Sequence, residues 1–249
     1  MTLFFNAGYG RASSFAQKIT IMTHKRYNVF NQIHKGLRHL MYDTALRLQT
    51  TDLSAPDAAE VVNTVSLVVD LFDEHAHHED KFVLPMVEKH NPTLVADFEK
   101  DHELDHKLSE GLRQQVTSWK NATTPQERNI TGQGIFYAFN EFIAFNLYHM
   151  NREEDTLLAT LWKHYTDEEL HAASQAIVAS IPPDVLMLES KWMMRSMNNA
   201  EITEWMTGIK YGAPAEVFAA YLQMAEQELP AERFHTVAST LETEMAVAE

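Results

Sequence analysis

The stretch Asp73-Glu-His-Ala-His-His-Glu79 carries the most information about this sequence. Within it, His75 precedes Glu79 by four positions, and no glycine or proline interrupts the spacing. Side chains four residues apart project from one face of an α-helix, one turn from each other. If the stretch is helical, its imidazole and its carboxylate can therefore bind one metal ion or two adjacent ions.

Apolar residues in front of this stretch recur at the three- and four-residue spacing of a helix, namely Val61, Val65, Val68, Val69 and Phe72. The spacing predicts a helix from about residue 55 towards Pro85, because proline ends or kinks a helix. Similar patterns predict three more long helices, over about residues 26–49, 91–119 and 125–165. Four long helices with short connections indicate an all-α protein with an antiparallel four-helix bundle over residues 26–165.

The regions on either side of the predicted bundle have different sequence patterns from the bundle. Residues 1–25 form a mixed N-terminal leader with little helical periodicity. Residues 166–249 predict a helical C-terminal extension, which begins with a capping box at Thr166 and is broken at Ile181-Pro-Pro-Asp184. We expect the extension to pack on the bundle or on another subunit, so a homo-oligomer formed through the C-terminal helices is one expectation.

Amino-acid composition limits the metal ligands, the partners and the cellular location that the protein can have. The 249 residues include 13 histidines and no cysteine, so a metal site must use nitrogen and oxygen ligands. A formal net charge of -15 argues against nucleic acid or an anionic membrane as partner, because both need clustered lysine and arginine. No signal peptide and no apolar run of membrane-spanning length is visible, so a cytoplasmic location is expected.

Histidines fall on all four predicted bundle helices. His34 lies in the first helix, and His149 lies in the fourth. In the third helix, His102 precedes His106 by four positions, which predicts a second pair on one helix face. A site in the core of a bundle needs side chains from several helices, as this distribution provides.

Two carboxylates follow His149, with Glu153 four positions later and Glu154 five positions later. The segment also repeats the pattern at His75, because both read His-x-x-x-Glu followed by a second acid. The repeat aligns Glu79 with Glu153. Helical geometry and the repeat both favour Glu153 as the ligand.

The complete predicted metal set is five histidines and two carboxylates: His34, His75, Glu79, His102, His106, His149 and Glu153, with Glu154 as the alternative carboxylate. Imidazole with carboxylate suits iron, although manganese or zinc would accept the same ligands, and a carboxylate can bridge two ions. The excess of neutral nitrogen donors leaves the metal pair more positively charged than in a ferritin-like site. That charge favours a ferrous state and reversible chemistry.

This set resembles the hemerythrin family and is closest to its bacterial branch with the histidine–histidine–glutamate (HHE) cation-binding signature. The flanking stretches Ile33-His-Lys-Gly-Leu-Arg38 and His78-Glu-Asp-Lys-Phe-Val-Leu-Pro85 are also similar to that branch. The resemblance covers about residues 26–165. It implies two non-haem iron ions, bridged by an oxo or hydroxo group, inside a four-helix bundle.

The resemblance also implies a division of the ligands. One iron would be held by His102, His106 and His149, and the other by His34 and His75, with Glu79 and the second carboxylate bridging. The two-histidine iron would be five-coordinate and open to dioxygen, nitric oxide or peroxide. Oxygen carriers of the family place an aspartate five residues after the last histidine, and that pattern favours the Glu154 alternative.

Three functions stay open at the level of sequence, and no catalytic residue is named. The protein could bind dioxygen or a related small ligand reversibly. It could be a di-iron enzyme that reduces peroxide or another oxidant, or that handles iron under stress. It could also sense iron or oxygen and signal through the C-terminal helices. Fold resemblance alone does not choose among these functions.

Overall fold

The computed structural model describes residues 26–248, with side chains described as far as residue 243. The predicted leader, residues 1–25, lies outside the described residues. Across the described range the chain is helical and contains no strand, which confirms the all-α class. The long helices are α1 (Asn31–Thr50), α2 (Ala59–His78), α4 (Pro92–Asn121) and α5 (Pro125–Arg152). The shorter helices are α3 (Leu84–Glu88), α6 (Leu158–His164), α7 (Asp167–Ser180), α8 (Pro183–Ser196), α9 (Asn199–Gly212), α10 (Ala215–Glu228) and α11 (Ala231–Ala248).

Two of the long helices continue through a π-helical turn into a short helix. The turn Glu79–Val83 joins α2 to α3, and the turn Glu153–Leu157 joins α5 to α6. The kink expected near Pro85 therefore takes the form of a π turn just before the proline. The second π turn has no proline after it, so the feature that both turns share is the glutamate at the start. Single π turns inside α-helices are frequent at functional sites.

Side-chain caps begin helices α4 and α5. The Asn91 side chain accepts a hydrogen bond from the Leu94 backbone N–H at the start of α4. Thr124 and Glu127 form a reciprocal capping box at the start of α5, where Pro125 occupies the first turn. Such caps satisfy backbone N–H groups that have no partner inside the helix.

The four long helices enclose one hydrophobic core. Helix α1 packs on α2, α2 on α4, α4 on α5 and α5 on α1. On α4 the buried positions alternate in steps of three and four: Val95, Phe98, His102, Asp105, Ser109, Leu112, Val116 and Trp119. This alternation keeps a single stripe of the helix turned toward its neighbours.

Contacts between facing residues show how the helices run. On α4 and α5, His102 lies against His149, and Asp105 bonds to Asn146 three residues earlier in α5. The two helices are therefore antiparallel. At the far end of α4, the Trp119 indole N–H donates to the Leu53 carbonyl oxygen just after α1, so α1 and α4 run in the same direction.

Helices α8 and α9 of the C-terminal region lie on the α1 side of this core. Helix α8 lies against α1, and a Cβ atom added to Gly36 would lie 3.0 Å from the backbone N of Met193. Glycine therefore permits a close approach of the two helices. The Lys35 ammonium pairs with the Glu201 carboxylate of α9 at 2.5 Å. Among the described helices, none combines the length and the apolar character that crossing a membrane requires.

Candidate metal centre

Six of the predicted ligands lie together in two overlapping groups. One group contains His34, His75, Glu79 and Glu153, and the other contains Glu79, His102, His149 and Glu153. Within each group, one ligand atom from every residue lies within 4.8 Å of the others. All six side chains are largely shielded from solvent. Each long helix supplies one histidine, and each π turn supplies one glutamate.

Glu79 stands between the two groups. Its Oε1 atom is 3.1 Å from His75 Nε2, and its Oε2 atom is 3.5 Å from His102 Nε2. One carboxylate therefore directs an oxygen into each group. This is the arrangement of a carboxylate that bridges two metal ions.

Glu153 repeats this geometry from the opposite helix pair. Its Oε1 atom is 3.0 Å from His149 Nε2, and its Oε2 atom is 3.4 Å from His34 Nε2. The π turns place both glutamates, because each turn begins at the glutamate itself. The His-x-x-x-Glu repeat in the sequence thus corresponds to a structural repeat.

The potential donor atoms lack hydrogen-bond partners, and the distances between them are those expected of metal ligands. Both carboxylate oxygens of Glu79 and Glu153, with His102 Nε2, are buried and have no hydrogen-bond partner in the described part of the chain. Burying a charged group without a partner costs several kcal/mol. Metal bonds of about 2.1 Å place two ligands of one ion about 3.0 to 3.4 Å apart, which matches the observed separations. The residues present therefore fit a site for two cations.

Two further carboxylates contact the outer ring nitrogen, Nδ1, of two of the ligand histidines. Glu154 Oε1 lies 2.8 Å from His34 Nδ1, and Asp80 Oδ1 lies 2.7 Å from His102 Nδ1. Each of them directly follows a glutamate of the metal groups, and each reaches across to the other helix pair. A carboxylate on the outer ring nitrogen sets the tautomer and leaves Nε2 free for the metal. The second acid of the repeated pattern was the sequence signal for Asp80.

The site has a strongly negative field. Burial disfavours charged His34, yet its hydrogen bond to Glu154 and the nearby carboxylates of Glu79 and Glu153 raise its pKa to about 9. Burial opposes charge on His102 as well, but its hydrogen bond to Asp80 and the nearby carboxylates of Glu79 and Glu153 raise its pKa to about 12. Without a metal, protons occupy this field, and metal binding must displace them.

The structure does not bring His106 together with the other predicted ligands. His106 is exposed and belongs to neither group, because the buried stripe of α4 steps from His102 to Asp105 and then to Ser109. A four-residue step from His102 turns His106 to the solvent side of that stripe. The two groups consequently have two histidines each, and the three-plus-two division implied by the oxygen carriers is absent among the residues that the structure describes.

Sequence reasoning missed a polar pair in the core below the histidines. Asp105 Oδ1 accepts a hydrogen bond of 2.7 Å from Asn146 Nδ2, and both residues are buried. Burial raises the pKa of the Asp105 carboxyl, although the Asn146 bond acts against it. The available signal was spacing, because Asp105 follows His102 by three positions and Asn146 precedes His149 by three.

Comparison with known proteins identifies the family. Neither the curated proteins nor the solved structures give a significant match. The family model described as hemerythrin HHE cation binding domain matches residues 26–161, a span that contains both ligand groups. The chain therefore belongs to the hemerythrin HHE cation-binding domain family.

Proposed function

We propose that this chain is a non-haem di-iron protein whose iron pair binds dioxygen or a related small ligand such as nitric oxide or peroxide. In this proposal, residues 26–165 are an antiparallel four-helix bundle and residues 166–249 are its helical extension. The observation that carries it is the set of four buried carboxylate oxygens, from Glu79 and Glu153, that lack a hydrogen-bond partner within the described residues.

The proposed ligand assignment follows the two groups. One ion would be held by His34 and His75, and the other by His102 and His149. Glu79 and Glu153 would bridge, each with one oxygen on each ion. An oxo or hydroxo bridge stays a prediction from the family resemblance.

Iron is the metal that this donor set favours. Imidazole and carboxylate together suit iron, and the chain has no thiolate to offer. Two nitrogens and two oxygens from the protein leave coordination positions on each ion for a small ligand. When bound, the iron pair would supply electrons to, or accept electrons from, an oxygen species.

The protein side of the chemistry is positioning and exclusion of water. The carboxylates of Glu154 and Asp80 hold two imidazoles in the ligating tautomer, and Arg38 Nη1 pairs with Glu154 at 2.8 Å. Apolar side chains lie against the ligands, with buried Phe30 stacked on His34 and half-buried Phe145 stacked on His149. Such a low-dielectric site strengthens electrostatic interactions and limits side reactions with water.

A second candidate function is reduction of peroxide or another oxidant by the same centre. The equal number of histidines at the two metal positions favours it. The resemblance to oxygen carriers implied one iron saturated by three histidines and one open iron. With His106 exposed, the assigned donors are two histidines for each ion, so both ions have open positions. Two open ions suit a two-electron reaction at least as well as reversible binding of a single ligand.

Anaerobic loading with ferrous iron tests the centre itself. The expected result is about two irons per chain, retained by His106→Ala and reduced in His102→Ala. These variants form a matched pair, because the two histidines lie four positions apart on the same helix but only His102 is buried. Fewer than two irons in the unaltered protein, or equal losses in the two variants, would contradict the proposal.

Exposure of the loaded protein to oxidants separates the two candidate functions. A spectrum that appears in air and disappears when the gas is removed supports reversible binding. Irreversible oxidation in air, with repeated turnover of added peroxide, supports the enzyme.

A further inference from the structure

The two metal positions have equal sets of ligands but different carboxylates behind their histidines. Position A has His34 and His75, position B has His102 and His149, and each has one oxygen from each bridging glutamate. The potential donor of all four histidines is Nε2. A difference between the positions can therefore arise from the contacts that the rings make through the other nitrogen, Nδ1.

Both histidines of position B have a carboxylate close to Nδ1. Asp80 Oδ1 lies 2.7 Å from His102 Nδ1, and Asp101 Oδ2 lies 3.5 Å from His149 Nδ1. No lysine or arginine of the described residues pairs with Asp80, so no cation offsets its negative charge. Asp101 also pairs with Arg152 through the same oxygen, Oδ2. Position B therefore has two outer carboxylates and one outer cation.

Position A has less negative charge behind its histidines. Glu154 Oε1 lies 2.8 Å from His34 Nδ1, but Arg38 Nη1 lies 2.8 Å from that same oxygen. The polar contacts of His75 run through Nε2, and its Nδ1 has no carboxylate partner among the residues that the structure describes. Position A thus has one outer carboxylate matched by one cation, whereas position B has one carboxylate in excess.

Outer carboxylates strengthen a metal site. A histidine that donates its Nδ1–H group to a carboxylate is a more basic ligand, and its ring is already oriented for the metal. Loss of one such partner typically costs about 10- to 100-fold in metal affinity. A cation on the same carboxylate oxygen offsets the negative charge and so weakens the effect. The excess carboxylate is therefore expected to favour position B.

We propose that the two positions fill in a fixed order, with position B as the high-affinity site and position A as the exchangeable one. Asp80 is the main positioning residue for this order, because it acts on the metal through His102. Arg38 adds to the difference, because it shares the Glu154 oxygen that contacts His34. At limiting iron the chain holds one ion at position B, and the ion at position A enters and leaves while the first stays in place. This order rests on the proposed di-iron centre and adds how that centre is loaded.

Three variants separate the two positions, and a fourth is their control. Asp80→Asn removes a negative charge behind position B and keeps the size of the side chain, and Glu154→Gln does the equivalent behind position A. Arg38→Gln removes the cation that shares the Glu154 oxygen. Asp155→Asn is the matched control, because Asp155 belongs to the same run of acids but is exposed to solvent.

Anaerobic titration with ferrous iron, in competition with a chromophoric chelator, gives two stepwise dissociation constants for each protein. A slightly acidic buffer keeps the Glu189 carboxyl, which acts on His75 and whose pKa burial raises to about 7, largely neutral. In the unaltered chain, the second dissociation constant should exceed the first by about tenfold or more. Crystals of the chain with one equivalent of iron should show anomalous scattering at position B.

Each variant should change one step. Asp80→Asn should weaken the tighter step by about tenfold or more, which narrows the gap between the two constants. Glu154→Gln should weaken only the looser step and widen the gap. Arg38→Gln should tighten the looser step, a gain in affinity that a merely structural role for Arg38 would not produce. Asp155→Asn should leave both constants unchanged.

Other outcomes overturn the inference. Two irons bound with equal constants in the unaltered chain, or equal anomalous peaks at both positions with one equivalent, would show that the positions are equivalent. An Asp80→Asn protein that loses affinity only at the looser step would reverse the assignment and refute it. Should Asp80→Asn fail to fold, an unchanged gap in Arg38→Gln also refutes the inference. Failure of the unaltered chain to bind two irons would instead refute the proposed centre, so the two failures are distinguishable.

Discussion

Three consecutive acids at the start of the second π turn provide a graded test of the metal centre. Glu153 lies in both ligand groups, Glu154 holds the outer nitrogen of His34, and Asp155 is exposed to solvent. Alanine at each position in turn removes one carboxylate from the same local backbone. We expect iron retention to fall in the order Asp155→Ala, Glu154→Ala, Glu153→Ala.

The structure gives a magnitude for each step. Asp155→Ala touches no ligand and should leave iron affinity unchanged. Glu154→Ala removes the 2.8 Å contact to buried His34, and loss of such an outer partner typically costs about 10- to 100-fold in metal affinity, or about 1.4 to 2.8 kcal/mol. Glu153→Ala removes an oxygen from each metal position, so the second iron should be lost altogether.

The assay is an anaerobic competition between each variant and a chromophoric ferrous chelator. Absorption of the chelator complex reports the dissociation constant and the number of irons held. Circular dichroism of the iron-free proteins checks that each variant is helical. A loss in Glu154→Ala as large as in Glu153→Ala would refute the assignment of Glu153 as the bridge, and any loss in Asp155→Ala would refute the whole ordering.

Three other perturbations test the fold and its electrostatics. Gly111→Ala should raise the free energy of unfolding by about 0.5 to 1 kcal/mol, because a Cβ there meets open space, whereas Gly36→Ala should gain less or lose stability against the Met193 backbone. Urea unfolding measures both, and equal gains would contradict the close approach of α8. Burial raises the pKa of Glu189 from 4.5 to about 7, so its protonated form stabilises the fold at pH 5 and that contribution is lost as the pH rises through 7. Glu189→Gln should therefore raise the free energy of unfolding more at pH 8 than at pH 5, by up to about 3 kcal/mol, and an equal effect at both pH values would contradict burial as the cause. Removal of iron by a chelator should lower the melting temperature of the unaltered chain, because bound metal stabilises the folded state by mass action, and an unchanged value would argue against ligation in the core.

Local periodicity accounts for what could be predicted without tertiary structure. Helix positions, caps and the His-x-x-x-Glu pairs depend on residues a few positions apart, and one sequence shows those directly. His75 with Glu79 and His149 with Glu153 are such pairs, and the structure brings all four side chains into the ligand groups. The predicted all-α class follows from the same local signals and is confirmed.

The choice between neighbouring positions required the packed structure. An α-helix has 3.6 residues per turn, so a partner three or four positions away is equally compatible with a shared face. The rotation of α4 against its neighbours decides that Asp105, not His106, follows His102 on the buried side. The local sequence of residues 101–106 does not reveal which side of α4 faces its neighbours.

The same distinction applies to the roles of the acids and to the extension. Sequence placed two acids after each His-x-x-x spacing, and the π turns decide which acid enters the metal groups and which one reaches across to a histidine of the other helix pair. Sequence predicted C-terminal helices, and contact at Gly36 decides that α8 lies on α1. The sequence by itself therefore determined the helices and the kinds of ligand, because these depend on local spacing. Tertiary structure alone decided which side chains meet, because that depends on how separate helices are rotated and packed.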